Sequence, residues 1–283
     1  MREARFYKKI SGDRVQCELC PHFCLIELGK SGFCRARKNI EGKLYSLIYG
    51  EVTSVAMDPI EKKPLYHYHS GEYILSIGTK GCNLVCPFCQ NWSISQDINA
   101  PSRNFISGEV IKLAKENKSF GIAYTYNEQF IWYEFVYDTA RLAKENGLSN
   151  VLVTNGMVNL APLEEILPFI DAMNIDIKSI DGQRYEDVCR GNLEAIQEVI
   201  KRSARSCHVE LTNLIVPGFN DREEDFRKLV DWIYDNLGDS VVLHFSRYFP
   251  CYKFTAPLTS PSVLKLAESI AKKKLKYVYL GNI

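Results

Sequence analysis

Residues 78–91 read GTKGCNLVCPFCQN, and this stretch decides how the rest of the chain is interpreted. It follows a predicted strand over residues 73–79 and carries three thiols at the spacing Cys82-x3-Cys86-x2-Cys89. Thiolates are soft ligands that favour iron–sulfur clusters, zinc or copper. A cuboidal cluster held by only three protein thiolates keeps one iron free, so the loop predicts a metal centre with one open position. The alternatives are half of a zinc site or three unligated thiols, and no fourth ligand lies nearby in the sequence.

A second group of thiols lies near the amino terminus, at the spacing Cys17-x2-Cys20-x3-Cys24-x9-Cys34. Pro21 and nearby glycines supply tight turns within this group. Four thiolates can close a tetrahedral zinc site completely or can hold an iron–sulfur cluster, and the spacing leaves both open. Unligated cysteines are the third alternative. We therefore predict a separate amino-terminal metal site that contains zinc or an iron–sulfur cluster.

Composition restricts the class of protein. The chain has 283 residues, of which 46% are hydrophobic and 24% are charged, as in globular proteins. Its 35 basic and 34 acidic residues give a net charge of +1, so we expect no nucleic-acid partner. The first ten residues are charged and no run of eighteen apolar residues occurs, so we expect a cytoplasmic location and no membrane association. Ten cysteines without an export signal indicate metal ligation or free thiols rather than disulfides.

From residue 73 onward, predicted strands and helices alternate strictly. Six strand–helix pairs in this order predict a parallel sheet with right-handed crossovers, and hence an α/β barrel or partial barrel. Residues 1–70 are rich in cysteine and turns, so we predict a small metal-binding module and connector over 1–70 and a barrel over 71–283. The predicted strands are 73–79, 120–126, 151–155, 172–178, 208–216, 241–248 and 276–280, and the predicted helices are 108–117, 130–146, 162–170, 193–204, 223–237 and 261–273.

Polar residues near the carboxyl ends of the predicted strands are candidate ligand contacts, because α/β barrels gather their chemistry at that edge. Each alone caps a helix or loop about as often as it binds a ligand, but they recur on successive strands. They are Asn127, Glu128, Thr154, Asn155, Asp176, Lys178, Asn213, His244 and Arg247. In the connector, His67 and His69 would share one face of an extended segment, either as a metal-binding pair or as surface residues.

The Cys82-x3-Cys86-x2-Cys89 loop, with Phe88 before its last thiol, resembles the signature of the radical S-adenosylmethionine (SAM) superfamily. This resemblance covers residues 73–280 and is closest to the pyruvate formate-lyase activating enzymes. The whole chain resembles the radical SAM enzyme of the AmmeMemoRadiSam system, a family without an established substrate. The resemblance implies a partial (β/α)6 TIM-like barrel of radical SAM type and a 4Fe-4S cluster on the three thiols. It further implies reductive cleavage of SAM to methionine and a 5′-deoxyadenosyl radical, with a reductant such as flavodoxin or ferredoxin as partner.

The resemblance also implies roles for the strand-end residues. Residues 126–129 read YNEQ where the superfamily has Gly-Gly-Glu-Pro, whose acid holds the methionine ammonium of SAM. Only the acid, Glu128, is retained, and Asn127 could supply a side-chain carbonyl. Residues 153–156 read VTNG and resemble the Asp-Thr-Asn-Gly of the activating enzymes, but Val153 lacks the acid that a cation site would need. Further SAM contacts implied by the resemblance are Thr154, Asp176, Lys178 and His244, with Phe88 near the adenine.

Three functions compete at this point. The first is a radical SAM enzyme that abstracts hydrogen from a protein or peptide substrate, as an activating enzyme does. The second applies the same chemistry to a small metabolite, and the third is a non-catalytic metal-binding protein. The amino acid part of SAM carries both charges, and Glu128 and Lys178 supply one partner of each sign, where charge-assisted hydrogen bonds contribute about 1.5–3 kcal/mol each. This pairing favours the enzymes over the third function, and we predict the first.

Overall fold

Sixteen strands and eight α-helices make up the chain, and the computed structural model describes all residues from 1 to 283. The strands are β1 (Arg2–Glu3), β2 (Tyr7–Ile10), β3 (Arg14–Cys17), β4 (Leu25–Ile26), β5 (Arg37–Ile40), β6 (Lys43–Ser46), β7 (Glu51–Val52), β8 (Ser54–Pro59), β9 (Tyr73–Gly78), β10 (Arg103–Asn104), β11 (Gly121–Tyr124), β12 (Ser149–Thr154), β13 (Ala172–Asp176), β14 (His208–Ile215), β15 (Val242–Arg247) and β16 (Tyr277–Gly281). The helices are α1 (Trp92–Ser95), α2 (Ser107–Glu116), α3 (Tyr133–Glu145), α4 (Leu160–Ile166), α5 (Gly182–Cys189), α6 (Leu193–Ser203), α7 (Glu223–Leu237) and α8 (Pro261–Ala271). None of these helices combines the length and apolar character needed to cross a membrane.

Eight strands form the central sheet in the order β16-β15-β14-β13-β12-β11-β9-β8. Every neighbouring pair from β9 to β16 is parallel. Parallel neighbours require crossover connections, which place helices along the outside of the sheet. The predicted α/β class with a partial TIM-like barrel is confirmed, and the seven predicted strands and six predicted helices lie within a few residues of their predicted bounds.

The ends of the helices follow local sequence signals. Ser260 caps α8 because its hydroxyl accepts a hydrogen bond from the backbone N–H of Val263, and Pro261 occupies the first turn. Gly147 follows α3 with a φ of 72°, and Gly238 ends α7 with a φ of 83°. A positive φ is easily adopted only by glycine, so these two residues end their helices where the sequence indicated.

The predicted connector is part of the barrel. Strand β8 runs antiparallel to β9, with Ser54 opposite Gly78, and extends the central sheet by one strand. Beyond β8, Ile60 and Leu65 are fully buried in a small cluster with side chains from the early parts of the parallel strands. His67 then lies 2.7 Å from the Tyr279 hydroxyl on β16, the other edge strand. The segment between β8 and β9 therefore reaches from one edge strand of the central sheet to the other.

The amino-terminal module packs directly on the barrel. One hydrophobic core of 63 buried residues includes Ala4 and Val15 from the module and continues to Val278. The Arg37 guanidinium reaches the Glu134 carboxylate on α3 at 2.5 Å, with the two side chains only 1% and 3% exposed. A division of the chain at residue 70 stays a prediction.

The Arg37–Glu134 pair gives a test of this packing. Replacing Glu134 by Ala leaves a buried guanidinium without its counter-charge, and we expect a loss of about 3–5 kcal/mol in the free energy of unfolding. The matched control is Glu145→Ala, since Glu145 pairs with Arg141 on the exposed face of the same helix. Its expected loss is about 1 kcal/mol or less. Urea unfolding measures both, and similar losses in the two variants would contradict the proposed importance of the buried pair.

Candidate active site

One large cavity, with a volume of about 800 Å³, opens at the carboxyl edge of the parallel strands. It is lined by exposed residues such as Lys62, Gln90 and Asn282, so it is open to solvent between the cysteine loop, the connector and the end of β16. The cavity brings together every barrel residue that we predicted to bind the cluster or SAM. These are Cys82, Cys86, Phe88, Cys89, Asn127, Glu128, Thr154, Asp176, Lys178 and His244. Their individual roles stay predictions.

The backbone of the cysteine loop is closely packed just after β9. A side chain on Gly81, which has a φ of 89°, would lie 3.0 Å from the Cys34 carbonyl oxygen, so only glycine fits there. The Asn127 side chain accepts a hydrogen bond from Thr79 N–H at 3.1 Å and donates one to the Gly81 carbonyl at 2.8 Å. Asn127 therefore holds the loop, and this contact engages the carbonyl that we predicted for SAM.

The three loop thiols suit a cluster better than a single ion. No three His, Cys, Asp or Glu side chains of the chain converge closely enough to hold one metal ion. In a cuboidal cluster each thiolate binds a different iron, so the thiols need not converge. Burial raises the pKa of the Cys82 and Cys89 thiols, because a thiolate is poorly stabilised there without a cation. The arrangement thus fits the cluster that the loop spacing predicts.

Glu128 is a buried carboxyl, only 1% exposed, at the wall of the cavity. Its Oε1 accepts from Thr154 Oγ1 at 2.8 Å and from Phe130 N–H at 2.9 Å, and its Oε2 accepts from Asn155 N–H at 2.8 Å. Burial nevertheless raises its pKa to about 7, since no cation lies beside it. Thr154 orients Glu128, and a bound ammonium group would supply the missing positive charge.

Lys178 lies opposite, with its ammonium group 2.9 Å from the Asp176 carboxylate. Burial lowers the pKa of Lys178, but the neighbouring Asp176 carboxylate and Cys86 thiol outweigh it and raise the pKa well above the usual range. Lys178 is therefore a permanent cation in the cavity wall. Asp176 is its partner, which places two of the predicted SAM contacts in one ion pair.

His244, on β15, also lines the cavity. Its Nε2 lies 2.6 Å from Glu210, which is completely buried and also accepts from His208 and from the backbone N–H groups of Tyr66 and His67. Burial raises the pKa of Glu210, but these hydrogen bonds outweigh it and lower the pKa to about 2. His244 is thus fixed by a carboxylate and by the connector. No sequence motif marks Glu210, because it is an isolated charged residue inside strand β14.

Three further polar residues that line the cavity were absent from the predictions, namely Asp58, Lys63 and Tyr126. Lys63 is 2% exposed and donates to Asp58 Oδ2 at 2.7 Å, and the Tyr126 hydroxyl donates to the same oxygen at 2.7 Å. Burial raises the pKa of Asp58, but the Lys63 and Tyr126 hydrogen bonds outweigh it and hold the pKa well below its usual range. The connector thus supplies an ionised wall to the cavity.

Of the remaining candidate residues, Phe88 lies in the cavity wall and the other four lie outside the cavity. Phe88 lines the cavity and packs against Phe219 and Phe254, with ring centroids 5.3 Å and 5.9 Å away. Asn213 and Arg247 do not line the cavity, and Asn213 donates to the Ile177 carbonyl at 2.7 Å. His67 and His69 are exposed and join no cluster of metal ligands.

The four amino-terminal thiols line a separate apolar cavity of about 10 Å³. Cys24 Sγ accepts a hydrogen bond from Phe33 N–H at 3.4 Å. Burial raises the pKa of the Cys24 and Cys34 thiols, the latter to about 11. The module also contacts the barrel loop, since His22 Nε2 lies 2.7 Å from the Asn83 carbonyl oxygen.

The sequence belongs to a recognised group. The family described as "Radical SAM superfamily" matches residues 76–233. An uncharacterized protein of Methanocaldococcus jannaschii is 44% identical over the whole chain and 86% of its own length. The pyruvate formate-lyase-activating enzyme of Clostridium pasteurianum is 26% identical, over 54% of this chain and 66% of that enzyme.

A solved structure shares the fold. The crystal structure of Streptococcus suis SuiB bound to the precursor peptide SuiA superimposes with a TM-score of 0.57 at 13% identity. The match covers 78% of this chain and 51% of SuiB. The narrower resemblance to the AmmeMemoRadiSam enzyme stays a prediction. A family match over more than half of the chain, the fold and the three-thiol cavity lead to one conclusion: the chain is an enzyme of the radical SAM superfamily, similar over part of its length to pyruvate formate-lyase-activating enzymes.

Proposed function

We propose that this enzyme binds a 4Fe-4S cluster on Cys82, Cys86 and Cys89 and cleaves SAM to generate a radical that takes hydrogen from a protein or peptide substrate. The observation that supports this most is the joint placement of three thiols, a buried carboxyl and a permanent cation around one cavity. When bound, the cluster supplies the electron that breaks the bond between the SAM sulfur and its 5′ carbon. We further propose that a reductant such as flavodoxin or ferredoxin supplies the electron to the cluster.

The side chains of the cavity bind and orient the amino acid part of SAM. The ammonium group pairs with Glu128, whose carboxylate is held by Thr154 and two backbone N–H groups. The carboxylate pairs with Lys178, which Asp176 keeps charged and positioned. Both charges lie in surroundings of low polarity, where such pairing is stronger than in water. Phe88 packs near the adenine, and His244 remains for the ribose or for the substrate.

A polypeptide substrate is favoured by the likeness to activating enzymes and by the shape of the cavity. The cavity is open to solvent beside Lys62, Gln90 and Asn282, between the connector, the cysteine loop and the end of β16. A peptide loop can insert one residue there without passing through the barrel. A small metabolite remains the second candidate function, because the ionised Asp58–Lys63 wall offers fixed charges to a small polar molecule.

The four amino-terminal thiols form, in our proposal, a second metal site with no direct part in SAM cleavage. The four thiols line one small buried cavity without converging on a single point, which favours an iron–sulfur cluster over one zinc ion there as well. Metal binding there would stabilise residues 1–70, because the unfolded chain has no preformed site. Zinc and an iron–sulfur cluster are distinguished by metal content.

Replacement of Cys86 by Ala tests the assignment of the loop. We expect the reconstituted variant to lose 5′-deoxyadenosine formation from SAM under anaerobic reduction, because two thiolates cannot hold the cluster in the required form. Cys207→Ala is the control, since Cys207 lies outside the cavity and should leave the reaction unchanged. Product formation at the wild-type rate in the Cys86 variant contradicts the assignment.

Glu128→Gln tests the ammonium pair through its pH dependence. With a pKa of about 7, Glu128 gains charge as the pH rises from 6 to 8, so SAM affinity of the wild type should increase over that range. The neutral amide should remove this increase and weaken binding about tenfold or more, as expected for a lost charge-assisted hydrogen bond. Calorimetry at several pH values measures both effects, with Glu145→Gln as control. Equal affinity and equal pH dependence in the variant would assign Glu128 a structural role.

Cys17→Ser tests the independence of the amino-terminal site. We expect loss of about one zinc, or of about four irons, while the barrel cluster and 5′-deoxyadenosine formation are retained. Elemental analysis with proteolysis of residues 1–70 measures metal content and local order, and Cys207→Ser is the control. Abolished SAM cleavage in a protein whose barrel cluster is intact would contradict independence.

A further inference from the structure

The thiols of the cysteine loop receive hydrogen-bond donors from other parts of the chain. Cys89 Sγ lies 3.2 Å from the Ser95 hydroxyl on α1. Cys82 Sγ accepts from Leu84 N–H at 3.4 Å and lies 3.7 Å from the Asn155 side-chain nitrogen beyond β12. These donors are fixed by the fold rather than supplied by solvent.

The direction of the Ser95 hydrogen bond follows from its neighbour. Gln96 Nε2 donates to Ser95 Oγ at 3.4 Å and to the Leu84 carbonyl at 3.0 Å. The Ser95 oxygen thus accepts from Gln96, and a ligating Cys89 thiolate carries no proton, so the Ser95 hydroxyl is the donor to that sulfur. Ser95 is 2% exposed, so water does not compete for that proton.

We propose that Ser95 is a positioning residue of the cluster, whose hydroxyl donates to the Cys89 thiolate and raises the reduction potential. This inference deepens the proposed function and requires that the loop holds a cluster. A reduced cluster carries one more negative charge than an oxidised one, so a donor to a ligand sulfur stabilises the reduced form more. Without it, the same reductant would leave less of the cluster ready to cleave SAM.

The experiment compares Ser95→Ala, Ser95→Thr and Ser93→Ala in the full-length reconstituted protein. Ser93 lies on the same helix with an exposed side chain, so it is the matched control. Iron and sulfide content is measured first, and the midpoint potential is then determined by a redox titration followed by electron paramagnetic resonance. We expect Ser95→Ala to keep the cluster but to make its midpoint potential more negative by up to about 59 mV. For one electron, this shift corresponds to a tenfold change in the reduced-to-oxidised ratio. Threonine should restore the potential, and Ser93→Ala should not change it.

An unchanged potential in a fully loaded Ser95→Ala protein overturns the inference while leaving the proposed function intact. Failure of the wild type itself to bind a cluster would instead overturn the proposed function. If Ser95→Ala does not load, Ser95→Cys gives the second comparison, because it keeps a side chain of similar size with a weaker donor. A negative shift for Ser95→Cys against the wild type supports the inference, and equal potentials contradict it.

Discussion

The cysteine loop has no regular secondary structure, and the satisfaction of its backbone polar groups is the constraint on which the site depends. Buried N–H and C=O groups need partners, and here they find side chains. Asn127 bonds both Thr79 N–H and the Gly81 carbonyl, and Gln96 donates to the Leu84 carbonyl. Asn155 donates to the Asn83 side chain at 3.0 Å, which in turn donates to the Met157 carbonyl at 2.7 Å. Amide side chains from several elements thus fix the thiols without a helix or strand.

The same side chains connect the loop to the charged wall of the cavity. The backbone N–H of Asn155 donates to Glu128, and its side chain reaches the Cys82 sulfur, so one residue positions both the carboxyl and a thiol. Lys178 and Asp176 face them from the next parallel strand. A ligand that bridges thiols and charges would therefore meet a prearranged surface, which reduces the entropic cost of ordering it.

The sequence was sufficient for the barrel and for ten of the residues that line its cavity. Parallel strands with crossovers place strand ends at one edge, so residues such as Thr154 and Lys178 had to lie near the cysteine loop. The sequence could not reveal β8, because antiparallel pairing with β9 depends on a partner that follows an irregular segment. It also missed Glu210, whose partners lie far away in the chain, and Ser95, whose contact with Cys89 depends on how the cysteine loop folds back on α1. His244 was recognised, but its carboxylate partner was not.

The central claim of the proposed function is that Cys82, Cys86 and Cys89 would hold a cluster beside Glu128 and Lys178, which would pair with the charges of SAM. The most direct measurement is the electron paramagnetic resonance spectrum of the anaerobically reduced protein during a titration with SAM. The account predicts that the spectrum of the reduced barrel cluster changes on SAM addition until one equivalent is bound. A spectrum that does not respond to saturating SAM, in protein with a complete cluster, would contradict the claim.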